Sequence, residues 1–243
     1  MKADPAVQLR LLDLAGVDAE LGRLAHRRRT LPEHAALTGA EAAVREAKDA
    51  LVQSETAAGD LDRDIRRLER DVEAVRARTE RDRTLLATAG ARQATDLQHE
   101  LDTLARRQGV LEDEQLEIME RREALGVDLE HARGVLAAAE KALADVIARR
   151  DAELADIDAA EAGRARARED VVATVPADLL AGYERKRTQR GVGAAPLRER
   201  RCQACRLELD RTALSALRNA PPDEVVGCEE CGVILVRTKE SGL

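Results

Sequence analysis

The sequence predicts a mainly α protein: a long antiparallel coiled-coil hairpin followed by a small C-terminal zinc ribbon built on four cysteines. Three observations carry that reading. The chain of 243 residues has no Phe and no Trp and a single Tyr, with 36% charged residues, too few aromatic anchors for an ordinary globular core. Apolar residues recur at a heptad spacing over most of the first 175 positions, which separates long helices from a charged disordered chain. The four cysteines, Cys202, Cys205, Cys228 and Cys231, form two C-x2-C pairs near the C-terminus.

The N-terminal seam runs Val7, Leu14, Val17, Leu21, Leu24, Leu31 and meets Pro32, where a kink is expected. From Leu37 to Leu86 a second seam advances by alternate steps of three and four: Leu37, Val44, Leu51, Ala58, Ile65, Val72, Thr79 and Leu86 occupy one heptad position. A third, from Leu97 to Arg150, contains the polar members Gln108, Gln115, Arg122 and Arg150. The two long seams are out of phase, which places a hairpin tip near 88–95. Gly90 is expected to take the left-handed cap that ends the first arm, and Thr95 with Gln98 to form the capping box that begins the next. Antiparallel partners then sum to about 183, so Leu51 faces Ala132, and the N-terminal helix packs against residues 152–175. His26, His34, His99 and His131 read as ordinary polar helix positions.

The predicted division is 1–175 for the helical part and 176–243 for a short helix, a basic linker and the ribbon. The short helix starts at Pro176 and carries Leu179, Leu180 and Tyr183. Gly191 to Pro196 forms a break leading into an edge strand. Leu209-Asp210 marks the staple and N-cap of a helix over Arg211–Arg218, and Val225-Val226 and Val233–Val236 read as strands.

Two C-x2-C pairs aim four thiolates at one point and close a tetrahedral Zn–S4 site. A redox dithiol needs only one pair, beside a βαβ pattern that is missing here. Four sulfur ligands leave no open position for water, so the zinc is structural and no catalytic residues are assigned. A ribbon of about 45 residues has too small a core to fold without such a staple. Gly232 gives the second knuckle its turn; Arg206 stands at the matching place in the first, which predicts a less regular turn there.

The net charge of −7 hides a basic collar. Residues 185–206 hold Arg185, Lys186, Arg187, Arg190, Arg198, Arg200, Arg201 and Arg206 against Glu199 alone. Such a patch suits the phosphates of DNA or RNA. Two functional readings follow, neither of them an enzyme. In one, the collar and ribbon grip nucleic acid while the coiled-coil arm contacts a protein partner. In the other, the chain is a protein-only scaffold whose ribbon docks a partner, a reading favoured by the acidic ribbon proper and by the lack of a base-stacking aromatic. No apolar run approaches the length of a membrane span, and the N-terminus lacks the apolar core of a secretory signal; a cytoplasmic protein that avoids membranes is expected.

Leu111-Glu-Asp-Glu-Gln-Leu-Glu-Ile-Met-Glu120, Pro176-Ala-Asp-Leu-Leu-Ala-Gly-Tyr-Glu-Arg185 and the two knuckles resemble the bacterial C4-type zinc-ribbon proteins with an N-terminal helical hairpin, the family of the Helicobacter-type flagellar regulators. The resemblance implies a hairpin-plus-ribbon adaptor with the four cysteines as zinc ligands, and contacts with nucleic acid or a sigma factor. This chain has Ala94 where the family often carries Tyr near the tip, and a flagellar role is not carried over.

Overall fold

The computed structural model describes residues 1–243. Helices α1 (Pro5–Arg29), α2 (Pro32–Leu86), α3 (Ala91–Val172), α4 (Ala177–Arg190) and α5 (Arg211–Asn219) are joined by strands β1 (Ala194–Arg198), β2 (Arg201–Cys202), β3 (Val226–Gly227) and β4 (Ile234–Val236). No helix is long and apolar enough to cross a membrane. The chain forms two compact units, one from Glu33–Ala148 and one from Met1–Pro32 with Arg149–Leu243. These bounds differ from a division at 175, because α1 packs on β1 and β4 and salt-bridges the end of α3.

In the Glu33–Ala148 unit, α2 and α3 run antiparallel. Every position of the two predicted long seams is buried or half-buried, the polar ones included. Leu68, Val72 and Leu111 form the most buried cluster, backed by Val75 and Ile118. Cross-helix ion pairs descend on α3 as they ascend on α2: Lys48–Glu140 at 3.5 Å, Arg133–Glu55 at 3.8 Å, Arg122–Asp62 at 2.7 Å and Arg76–Glu112 at 2.7 Å. Arg122 therefore tolerates a seam position because its guanidinium reaches a carboxylate at the seam's edge. Gly59 lies inside α2, its missing Cβ no obstacle to a helix held by packing on both sides.

The tip departs from the sequence reading. Gly90 does not adopt a left-handed conformation. The arm ends instead in two tight turns, with Thr88 N donating to Leu85 O at 3.1 Å and Ala89 N to Leu86 O at 3.3 Å. Gly90 opens the next helix, its carbonyl accepting from Ala94 N at 2.9 Å. Thr95 is already inside α3, where its hydroxyl donates to Ala91 O at 3.2 Å, so Thr95 and Gln98 form no capping box. α2 stops at Leu86, its last seam residue, whereas α3 starts at Ala91, ahead of Leu97 where its seam opens.

In the other unit, Asp4 caps α1 by accepting from Ala6 N at 2.8 Å, and Pro5 begins the helix, where its missing N–H costs nothing. Arg27 reaches Glu153 at 2.6 Å, Arg28 reaches Glu161 at 2.7 Å and Arg168 reaches Asp18 at 2.7 Å, fastening α1 to the last third of α3. Leu11, Leu14, Leu179, Tyr183, Ile234 and Val236 make one core here. The sheet order is β2-β1-β4-β3, with β1 parallel to β4 and the other pairs antiparallel. β1 is thus internal, not the edge strand expected. Pro196 has no N–H to donate, but its carbonyl accepts from Gln203 N at 3.2 Å, and the partner β4 comes from far along the chain.

Candidate metal centre

Each cysteine pair sits in a knuckle whose turn is closed by two backbone hydrogen bonds. In the first, Arg206 N donates to Cys202 O at 2.7 Å and Cys202 N to Leu207 O at 3.0 Å. In the second, Gly232 N donates to Cys228 O at 2.8 Å and Cys228 N to Val233 O at 2.9 Å. Both turns need a left-handed residue, and both have one: φ is 62° at Arg206 and 76° at Gly232. The first knuckle is therefore as regular as the second, against expectation. Its hydrogen bonds hold Arg206 in a conformation that costs a non-glycine residue about 1–2 kcal/mol.

The knuckles face each other. All four sulfurs lie within 4.8 Å of one another, and Cys202 Sγ is 3.8 Å from Cys231 Sγ. A tetrahedron with Zn–S bonds of about 2.3 Å has edges of about 3.8 Å, so the Cys202–Cys231 edge matches the ion and the four sulfurs lie close enough to share one. Cys202 and Cys228 are buried, and Cys205 and Cys231 are half-buried. Burial pushes the Cys202 thiol up to about 12 and raises Cys231 as well, whereas the Leu207 N–H holds Cys205 below the ordinary thiol value. A divalent cation favours thiolate over thiol, so it makes a stable donor set of the clustered sulfurs, including Cys202 and Cys231, whose burial disfavours the thiolate when no cation is near. The four predicted residues are thus brought together, and they suit one structural zinc ion.

The ribbon's core surrounds this cage. Leu197, Leu209, Ala213, Leu217, Val233 and Leu235 pack on Cys202 and Cys228. α5 is aimed at it by Asp210, whose carboxylate accepts from Ala213 N at 2.7 Å. Lys186 of α4 donates to Gly232 O and so supports the second knuckle from outside.

The eight collar cations do not form one free patch. Lys186 is held by Gly232 O. Arg187 pairs with Glu184 at 2.8 Å and lies 3.5 Å from Asp18. Arg198 reaches Glu240 at 3.1 Å, Arg201 reaches Glu208 at 3.5 Å and Arg200 Nε donates to Gly242 O at 3.2 Å. Arg185, Arg190 and Arg206 are exposed and bear no ion pair. Arg237, which sequence reasoning passed over, anchors the ribbon: its guanidinium donates to five backbone carbonyls, including Ala220 at 2.8 Å, Pro221 at 2.6 Å and Glu224 at 2.9 Å. The Pro221-Pro222 pair was the available signal, since prolines leave carbonyls without an amide partner nearby.

Comparison with known proteins accords with this geometry. Residues 14–191 match the family described as the CT398-like coiled coil hairpin domain, and residues 201–235 match the C4-type zinc ribbon domain. An uncharacterized protein of Mycobacterium tuberculosis is 44% identical over 246 residues, covering 98% of each chain. A solved structure from Mycobacterium smegmatis superposes with a TM-score of 0.90 at 41% identity, covering 98% of this chain and 100% of that one. CT398 from Chlamydia trachomatis shares the fold at a TM-score of 0.69 and 16% identity, covering 96% and 98% of the two chains. The chain belongs to the family of CT398-like coiled-coil hairpin proteins that carry a C4-type zinc ribbon.

Proposed function

We propose that the chain is a non-enzymatic adaptor that holds the phosphates of a nucleic acid against its ribbon and uses the hairpin arm for a protein partner. The observation that supports the first half is Arg206. It occupies a left-handed position where the twin knuckle has glycine, yet its side chain is exposed and has no ion pair. A residue held by its backbone at a conformational cost, with no ion pair inside the chain for its side chain, suits a contact made outside. Arg198, Arg200 and Arg201 stand on the adjoining β1–β2 turn, tied to the first knuckle by Leu209 N donating to Arg200 O at 2.9 Å. Their partners Glu208 and Glu240 are exposed, and such surface pairs are weak enough for phosphate to replace. With four sulfurs filling the metal's coordination shell, the ribbon's work is binding.

The protein-only reading has its own support: five of the eight collar cations already serve the fold, and Leu207 lies 51% exposed on the first knuckle as an apolar contact point. Titrating labelled duplex DNA, single-stranded DNA and RNA at low and moderate salt separates the two. Under the nucleic-acid reading, affinity is largely independent of sequence and falls steeply with salt. Replacing Arg198, Arg200 and Arg201 together by Ala lowers the log–log slope by about two to three. If nothing binds at low salt, the adaptor works through proteins alone.

A further inference from the structure

Within the Glu33–Ala148 unit, α2 and α3 leave an open groove of about 600 Å³ beside Ile65, Leu116, Met119 and Gly126. The absence of a side chain at Gly126 widens it, since a Cβ there would meet only Arg122, at 3.7 Å. Leu116 is 59% exposed and Met119 48%. Val127, two turns further along the same face of α3, is 70% exposed. Leu116, Met119 and Val127 serve no seam: the positions of α3 that face α2 are Gln115, Ile118, Arg122 and Leu125. An apolar row on the outer side of a helix already packed on its inner side leaves apolar area uncovered.

Charge says what would cover it. From Glu112 to Glu130 eight carboxylates stand against two arginines. Arg122 is held by Asp62 at 2.7 Å, and Arg121 pairs with Glu117. Glu120 and Glu123 line the groove and pair with no cation of this chain. Phosphate is repelled from such a rim. A second copy presenting the same face is repelled too, because it brings the same carboxylates. We infer that this groove docks a basic amphipathic helix of a partner protein, with Leu- or Met-sized side chains seated on Leu116 and Met119 and Lys or Arg reaching Glu120 and Glu123. A helix is the form that lies along a two-helix groove with anchors at steps of three and four. Met119 adapts its unbranched side chain to the apolar shape presented. This surface is separate from the collar, and its test does not depend on nucleic-acid binding.

The test uses the full-length zinc-loaded chain and fluorescein-labelled designed helices of about five turns. One has a leucine face flanked by lysines, the second has the same leucines flanked by glutamates, and the third has the lysines with alanines in place of leucines. The leucine–lysine helix should bind saturably and the other two at least about tenfold more weakly. Leu116→Ala with Met119→Ala should weaken that binding about tenfold or more. Glu120→Gln with Glu123→Gln should flatten its salt dependence, and Val52→Ala, at an exposed apolar site on α2, should change nothing. All five positions are at the surface, and circular dichroism of each variant checks that the helices persist. No binding by the leucine–lysine helix, or equal binding to the Leu116→Ala/Met119→Ala variant, overturns the inference. So does self-association in sedimentation that the same pair abolishes, which would make a second copy the occupant.

Discussion

Tyr183 donates its phenolic hydrogen to Asp18 Oδ2 at 2.7 Å, joining α4 to α1 across 165 residues of sequence. The tyrosine is fully buried, and Asp18 also receives Arg168 at 2.7 Å. Arg168 and Arg187 in turn both reach Glu184. The one aromatic residue of the chain therefore sits where two helices and the sheet meet, with its polar end satisfied by a carboxylate that is itself neutralised. A buried carboxylate so paired stabilises only while its partners stay in place.

That contact predicts an optical signature. Burial, the hydrogen bond to Asp18 and the charge of Asp18 raise the Tyr183 pKa well above its ordinary value. The folded state keeps the phenol protonated, so this contribution to stability is complete below about pH 10, the unfolded value, and is lost progressively above it. With a single tyrosine and no tryptophan, absorbance near 295 nm reports this group alone. No phenolate should appear around pH 10 until the fold opens, and in denaturant it should titrate there. Ordinary titration in the folded protein would contradict the buried geometry.

Gly193 is predicted to tolerate no side chain. A Cβ there would lie 2.5 Å from two ring carbons of Tyr183, and the ring has nowhere to retreat. Gly193→Ala should destabilise the ribbon-bearing unit by about 1–3 kcal/mol, read as a shift of the urea midpoint. Gly163→Ala, where nothing lies within 4 Å, is the matched control and should be neutral or mildly stabilising.

The metal prediction is one zinc per chain, measured by elemental analysis. Cys228→Ser should release it and loosen the ribbon core packed on Cys202 and Cys228. The helical signal of α2 and α3 should remain, because the seams of the Glu33–Ala148 unit pack on each other. Chelation of the wild type should reproduce the variant. Loss of all helical signal would overturn the independence of the two cores.

Arg206→Gly separates stability from binding at one position. Removing the side chain relieves the left-handed strain, so the ribbon should gain up to about 1 kcal/mol and keep its zinc. If Arg206 contacts phosphate, the same variant should lower the salt slope of nucleic-acid binding by about one. A stability gain with unchanged binding would remove Arg206 from the interface.

Cysteines placed at Leu51 and Ala132 should crosslink within one chain at high dilution. Both positions are half-buried, and the ion pairs Lys48–Glu140 and Arg133–Glu55 flank them. Crosslinked dimers without the intramolecular product would mean that the arms exchange between chains.

The metal cage and the two long seams were legible from residue order alone. A C-x2-C turn and a heptad step are local patterns, and each constrains geometry within a few residues wherever it occurs. The out-of-phase seams located the tip to within a turn, but which residue ended which helix depended on small side chains that favour no single stop, so Gly90 and Thr95 were misassigned. What the tertiary structure decided was long-range pairing. β1 became internal because β4 returns beside it, a partner 40 residues away. The basic collar divided into cations that hold Gly232 O, Glu184 or Glu240 and cations that hold nothing, a distinction invisible in a charge count. The same holds for the groove beside Leu116: heptad spacing assigns a residue to the seam or leaves it out, but only the packed pair of helices leaves a surface between them. Local sequence sets which face of an element is apolar, whereas burial of that face is completed by segments whose positions only the folded chain determines.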